Sequence, residues 1–244
     1  MSNTQEKAWR LDGNRANEII LNHHYSFMLQ DCQKSLIHED DLRSMGWYAS
    51  KDGYCIPYRD PETGNPMTCP DGRPYTRTRL RHPKNGVKYL SPKNGGIRCF
   101  IHPDAHTAIM QTPGLPLFIT EGEKKAIAAT VCGMPCIGLG GIWLWKESGT
   151  ENELNRDLVQ YVKGGRDVVL IYDSDATETP RKTRDFADSA RRLAVALEPY
   201  GCRLFRFDMP PGGDRGKVGL DDWLVEYAGD TVLLRAMIEG EVEL

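Results

Sequence analysis

Leu117-Phe118-Ile119-Thr120-Glu121-Gly122-Glu123 and Val168-Val169-Leu170-Ile171-Tyr172-Asp173-Ser174-Asp175 are two apolar runs that stop on carboxylates. Short apolar runs bounded by polar residues read as strands buried on both faces of a parallel sheet. A carboxylate directly after such a strand lies at the sheet's C-terminal edge, where open α/β folds place their sites. Glu121, Asp173 and Asp175 gathered at that edge would repel one another unless something positive joined them. A hard divalent cation with oxygen ligands, Mg²⁺ above all and Mn²⁺ as its substitute, answers that need. The Asp-x-Asp spacing suits it, because residues two apart at a strand end point to the same side. The competing reading is helix N-capping, since acidic residues are favoured where helices begin. Two independent strand-end carboxylate motifs weigh toward the metal and toward phosphoryl transfer.

Outward from these strands the pattern alternates. A helix is expected near 123–132, a strand at 135–139, a helical stretch over 152–163, a helix near 184–198 and a strand at 202–207. A C-terminal helix is expected from Asp221. Such alternation implies an α/β fold with a mostly parallel sheet flanked by helices, here over 113–244. Residues 46–112 differ. They are rich in Gly, Pro, Tyr and Thr, with alternating runs at Tyr54–Tyr58 and Tyr75–Arg81 and turns at 60–64 and 83–86. They read as a small, basic, β-rich lobe. Residues 1–45 read as helical.

The chain of 244 residues carries a net charge of −3, so no global excess advertises a nucleic-acid partner. The distribution is uneven. Between residues 73 and 98 there are eight Lys and Arg and no Asp or Glu. Strand alternation puts Arg77, Arg79 and Arg81 on one face. With Lys88, and with Tyr75 and Tyr89 as stacking surfaces, that face fits a single-stranded nucleic-acid backbone. The alternative is an edge strand guarded by charge against aggregation. Lys124 and Lys125 open the helix after Glu121, where the dipole disfavours cations. Facing phosphates, pairing with Glu123 and plain solvent exposure are the open readings. Of Asp221 and Asp222, one is expected to cap a helix and the other to serve as an outer metal ligand. The seven cysteines are odd in number and irregularly spaced, and read as buried thiols. A polar N-terminus and the lack of a long apolar run point to a cytoplasmic protein without membrane association.

Glu121-Gly122 after one strand and Asp173-Ser174-Asp175 after the next resemble the Toprim domain shared by DnaG-type primases, topoisomerases and some nucleases. Gly219-Leu220-Asp221-Asp222-Trp223-Leu224 is similar to that family's third acidic segment. Pro210-Pro211-Gly212-Gly213-Asp214 resembles the loop before it. Upstream, Ile56–Asp60 and Lys88-Tyr89-Leu90-Ser91-Pro92 are similar to the N-terminal half of the DnaG catalytic core. Glu-Gly-Glu-Lys-Lys-Ala at 121–126 looks like Toprim-like domains of plasmid and phage replication proteins. Lys125 stands where primases commonly carry an aspartate.

The resemblance implies a primase-like nucleotidyltransferase using Mg²⁺, a single-stranded DNA template and nucleoside triphosphates, with a replicative helicase as a further partner. Glu121, Asp173 and Asp175 would be catalytic and, with Asp221, metal-binding. Arg77, Arg79, Arg81, Lys88, Lys124 and Lys125 would contact nucleic acid or nucleotide. A Toprim nuclease and a non-catalytic nucleic-acid-binding accessory are the alternatives.

Overall fold

The computed structural model describes residues 13–212, 216–232 and 234. The start of the expected N-terminal helical region, Gly213 and Asp214 of the expected loop, and the end of the chain lie outside the described residues. Among the described residues the chain is a mixed α/β protein with seven α-helices and two sheets. No described helix is long and apolar enough to cross a membrane.

The N-terminal region forms α1 (Gly13–Gln33) and α2 (Glu39–Ser44). A four-stranded antiparallel sheet follows, in the order β1 (Tyr48–Ser50), β2 (Gly53–Pro57), β3 (Thr76–Lys84), β4 (Val87–Leu90). The β3–β4 turn is Asn85-Gly86, both at positive φ, the two-residue hairpin chemistry that matches strand twist. Arg77, Arg79 and Arg81 lie on β3, which is paired on both sides. The reading of this strand as a charged edge therefore does not apply.

The second sheet has the order β5-β7-β6-β8-β9. Its strands are β5 (Phe100–Ile101), β6 (Leu117–Glu121), β7 (Cys136–Leu139), β8 (Val168–Tyr172) and β9 (Leu204–Asp208). The last four run parallel and β5 is an antiparallel edge on β7. Phe100–Ile101, expected within the basic lobe, thus pairs into the parallel sheet. The sheet is flanked by α3 (Pro103–Gln111), α4 (Glu123–Val131), α5 (Arg156–Val162), α6 (Pro180–Leu197) and α7 (Leu220–Glu226). Helix α6 begins a turn earlier than its periodicity predicts. Thr179 Oγ1 accepts from Lys182 N and Pro180 sits at the first helical position, a strong start signal.

Strand alternation divides the core. Leu117, Ile119, Val168, Leu170 and Tyr172 face α3, α5 and α6. Phe118, Val169, Ile171 and Phe207 face the other way. They meet Ile127 of α4, Trp223 and Leu224 of α7, Met28 of α1, and Trp47, Tyr54 and Tyr58 around the antiparallel sheet. Each such burial contributes about 1.5–3 kcal/mol relative to exposure. Trp47 stacks on Tyr54 at 5.8 Å, and Tyr58 meets Phe100 edge-on at 5.5 Å. The basic sheet and the parallel sheet therefore close on one another through a shared apolar layer. All seven cysteines are free thiols, five of them buried.

Candidate active site

Parallel pairing sets Thr120 beside Ile171, so Glu121 and Asp173 leave neighbouring strands at the same edge. The chain then turns at Gly122, whose φ of 97° favours glycine, and Gly122 N donates to the Leu139 carbonyl at 2.6 Å. Gly138 lets this turn sit close, since a Cβ there would lie 2.8 Å from the Gly122 carbonyl oxygen. A cleft of about 550 Å³ opens between this edge and the basic sheet. Glu121, Lys125, Asp173, Lys217 and Asp221 form one wall, and Asp31, Arg77, Arg79, Lys88 and Tyr89 the other.

Asp173 is fully buried, and its Oδ2 takes two ammonium groups, Lys125 Nζ at 2.9 Å and Lys217 Nζ at 2.7 Å. Among the described residues its Oδ1 has no hydrogen-bond partner, and neither has Glu121 Oε1. Asp175 is held by Lys182 at 2.8 Å and Lys217 at 3.0 Å. Neither aspartate caps a helix through its side chain: Thr179 performs that role for α6. The loop bearing Lys217 is tied to the Asp-x-Asp strand end. Val218 N donates to Ser174 Oγ at 2.8 Å, and Ser174 N donates to the Val218 carbonyl at 2.9 Å. Gly219 leaves the room that Lys125 occupies, since a Cβ there would fall 2.4 Å from Lys125 Cε.

These contacts set the charges. Burial first, then the Asp173 carboxylate, push Glu121 up to about 7, against the lowering pull of Lys125 and Lys217. Burial also works to raise Asp175, but hydrogen bonds and charge from Lys182 and Lys217 outweigh it and hold that carboxyl low. Burial works to lower Lys125, and the neighbouring Asp173 and Asp221 carboxylates raise it overall.

The arginine stripe is compensated from distant parts of the chain. Arg77 Nη1 meets Glu123 Oε1 at 2.6 Å in a fully buried pair, and Tyr58 Oη donates to the same oxygen at 2.8 Å. Gly140 leaves space for that guanidinium, 2.9 Å from where a Cβ would stand. Asp31 of α1 gathers Tyr54 Oη at 2.8 Å, Lys124 Nζ at 3.3 Å and Arg79 Nε at 3.4 Å. Arg77 and Arg79 both lie over the Tyr89 ring, each 5.2 Å from its centre.

Arg81 turns away from the cleft, donating to the His23 carbonyl at 3.2 Å. Tyr75 is buried against Tyr58, so it is not a stacking surface. Lys88 stands exposed at the rim with no carboxylate partner among the described residues. Asp222 Oδ2 accepts from Gly219 N and caps α7, while Asp221 Oδ2 accepts from Ser35 Oγ at 2.6 Å. Asp31, Ser174, Lys182 and Lys217 are site residues that sequence reasoning missed. The one local signal was Glu178, four positions before Lys182, the helical spacing of the pair they form.

The model of one protein family, a domain of unknown function designated DUF3854, matches residues 106–231, more than half of the chain. The chain belongs to the DUF3854 family. No curated protein and no solved structure matches it. The DUF3854 segment contains Glu121, Asp173, Asp175, Lys125, Lys182 and Lys217. The wall formed by Asp31, Arg77, Arg79, Lys88 and Tyr89 precedes it.

A divalent cation can be tested against this DUF3854 cleft through its donors. Among the described residues, no three side chains of ligand type are grouped as a metal site. Among the described residues, the buried carboxylate oxygens Glu121 Oε1 and Asp173 Oδ1, both on the cleft, nevertheless lack hydrogen-bond partners. Mg²⁺ commonly takes one or two protein carboxylates and completes its shell with water and substrate phosphates. The pair fits that pattern.

Proposed function

We propose that the cleft performs Mg²⁺-dependent phosphoryl transfer on single-stranded DNA, in the manner of the Toprim primases that the sequence resembles. One observation carries the reading: two unpartnered carboxylate oxygens from adjacent parallel strands, Glu121 Oε1 and Asp173 Oδ1, line one cleft opposite a basic wall. Glu121 and Asp173 would hold the ion. When bound, it neutralises charge that builds on the phosphoryl oxygens during in-line displacement. Lys125 pairs with the other oxygen of Asp173 at 2.9 Å. Lys88 at the rim meets a phosphate, and Tyr89, stiffened by Arg77 and Arg79, forms part of the wall along which a strand would lie.

The test is synthesis on circular single-stranded DNA with labelled nucleoside triphosphates and Mg²⁺ or Mn²⁺, with Glu121→Gln in parallel. Short labelled products that vanish in the variant are the expected result. Cleavage of labelled DNA without added nucleotides would replace primer synthesis by a nuclease. A second reading, a binding-only replication accessory, is favoured by the three ammonium groups that already neutralise Asp173 and Asp175. DNA binding without synthesis or cleavage, unchanged by Glu121→Gln and Asp173→Asn, would establish it.

The basic wall makes a separate prediction. Asp31 holds Arg79 and Lys124 as a phosphate would. Asp31→Asn keeps the size and an acceptor for Tyr54 while removing the charge that neutralises both cations, with Lys124 still donating to the residue 31 carbonyl as it does at 2.9 Å. Two more phosphate contacts steepen the slope of log K against log salt by about 1.4 for single strands. Fluorescence anisotropy with labelled single-stranded DNA across a salt series checks this, and an unchanged slope would refute it.

A further inference from the structure

We infer that Lys217 is a resident counter-ion, displaced from Asp173 and Asp175 when a divalent cation enters the cleft. This rests on the reading that the cleft takes such a cation, and it names the residue that sets how tightly. Three ammonium groups serve two aspartates here. Lys125 and Lys217 crowd the same oxygen of Asp173, while the other oxygen of that buried carboxylate stays without a partner. Lys182 and Lys217 share Asp175. Among the described residues Lys217 alone pairs with both aspartates, so it stands where one cation can satisfy two carboxylates.

The three lysines are not equally replaceable. The side chain of Lys125 is largely buried, fitted against Gly219, and its removal would leave Asp173 with a buried deficit. Lys182 also pairs with Glu178 at 2.6 Å, so it stays anchored whichever cation holds Asp175. Lys217 is half exposed, at 52%, with no other carboxylate partner among the described residues. Its backbone neighbour Val218 stays pinned to Ser174 by two hydrogen bonds. The side chain can therefore swing into water, where an ammonium is well solvated, without unmaking the loop. Lys125 and Lys182 then remain, one on each aspartate, beside the incoming ion.

Metal affinity is thus a competition between a tethered single charge and a free double charge. Removing the tethered charge must tighten metal binding by more than removing a lysine elsewhere in the cleft. Mn²⁺ is the probe, followed by titration with electron paramagnetic resonance on wild type, Lys217→Gln, Lys88→Gln and Asp173→Asn. Lys88→Gln controls for the general loss of one positive charge at the rim. The expected result is Mn²⁺ binding about tenfold tighter in Lys217→Gln, a difference of about 1.4 kcal/mol, with a smaller change in Lys88→Gln and loss in Asp173→Asn.

A second readout uses the unmodified protein. Acylation of Lys217 by acetic anhydride, which releases acetate, followed by mass spectrometry, should quicken on adding Mn²⁺ as the ammonium leaves its two carboxylates. Equal affinity in wild type and Lys217→Gln, or unchanged acylation, with Mn²⁺ still bound at Asp173, would overturn the inference and leave the cleft's reading standing. Mn²⁺ bound by none of the four proteins would overturn both.

Discussion

Glu123→Ala is expected to cost the folded protein about 3–5 kcal/mol, the range for breaking a buried ion pair by removing one partner. Glu123 is 1% exposed and Arg77 7% at the side chain, so neither charge has water to fall back on. Truncating Glu123 strands the Arg77 guanidinium, whose Nε already lacks a hydrogen-bond partner, and takes the acceptor from Tyr58. The loss is large against the roughly 5–15 kcal/mol that holds a domain together. It falls at the join between β3 of the basic sheet and α4 of the parallel sheet, and unfolding should remain a single transition at lower denaturant. Removing both charges, as Arg77→Met with Glu123→Leu, should recover much of the loss, because a filled apolar site replaces a desolvated pair. Urea titration of the three proteins measures this. A cost below about 1 kcal/mol for Glu123→Ala, the range of exposed pairs, would mean that the pair is not shut away from water.

Glu121→Gln should do two things at once. It should abolish metal-dependent transfer, and it should make the protein more stable at pH 8 in the absence of divalent ions. The carboxyl of Glu121 lies near 7 when folded against 4.5 for the free side chain, chiefly because it is buried and next because Asp173 is near. Below about pH 4.5 it is protonated in both states and costs nothing. Between 4.5 and 7 the unfolded chain releases the proton more readily than the folded one, and the penalty grows. Above 7 both states are ionised and the full penalty, about 3 kcal/mol, stands. The uncharged isostere removes it, so Glu121→Gln should melt higher than wild type at pH 8 in chelator and equally at pH 4.5. Mg²⁺ should narrow the gap by stabilising wild type more than the variant. Equal melting at pH 8 in chelator would refute this account of Glu121. Higher melting of the variant would make Glu121 an instance of local destabilisation kept for function.

Much of this was legible in the chain itself. Leu117–Glu121 and Val168–Tyr172 carry unbroken apolar runs because both faces of their strands are covered, and such runs announce themselves. The carboxylates that end them were readable for the same reason. Phe100–Ile101 is only two residues long, and Val87–Leu90 bears a lysine with two exposed apolar side chains, so neither gives a period to read. Helix α3 starts on His102 and Pro103, with His102 Nδ1 accepting from Asp104 N, a weaker signal than Ser or Asp. The ion pairs were out of reach for a different reason. Arg77 lies 46 positions from Glu123, and Lys125 lies 48 from Asp173. A window over 73–98 shows cations without anions, because the anions arrive through packing. Lys124 and Lys125 sit against the dipole of α4 since Asp31 and Asp173 hold them there.

The DUF3854 span begins at residue 106, yet the sheet face bearing Phe118, Val169 and Phe207 is roofed by Met28, Trp47, Tyr54, Tyr58 and Phe100, all from earlier in the chain. Cut out alone, the module would keep α4 and α7 on that face but bare the part that the earlier residues cover, an oily patch of the kind that drives self-association. It would also lose the arginines facing its acidic edge. In this chain the module is half of a sandwich: the residues before it bring the roof, and the chemistry of that roof decides what can enter between the two halves.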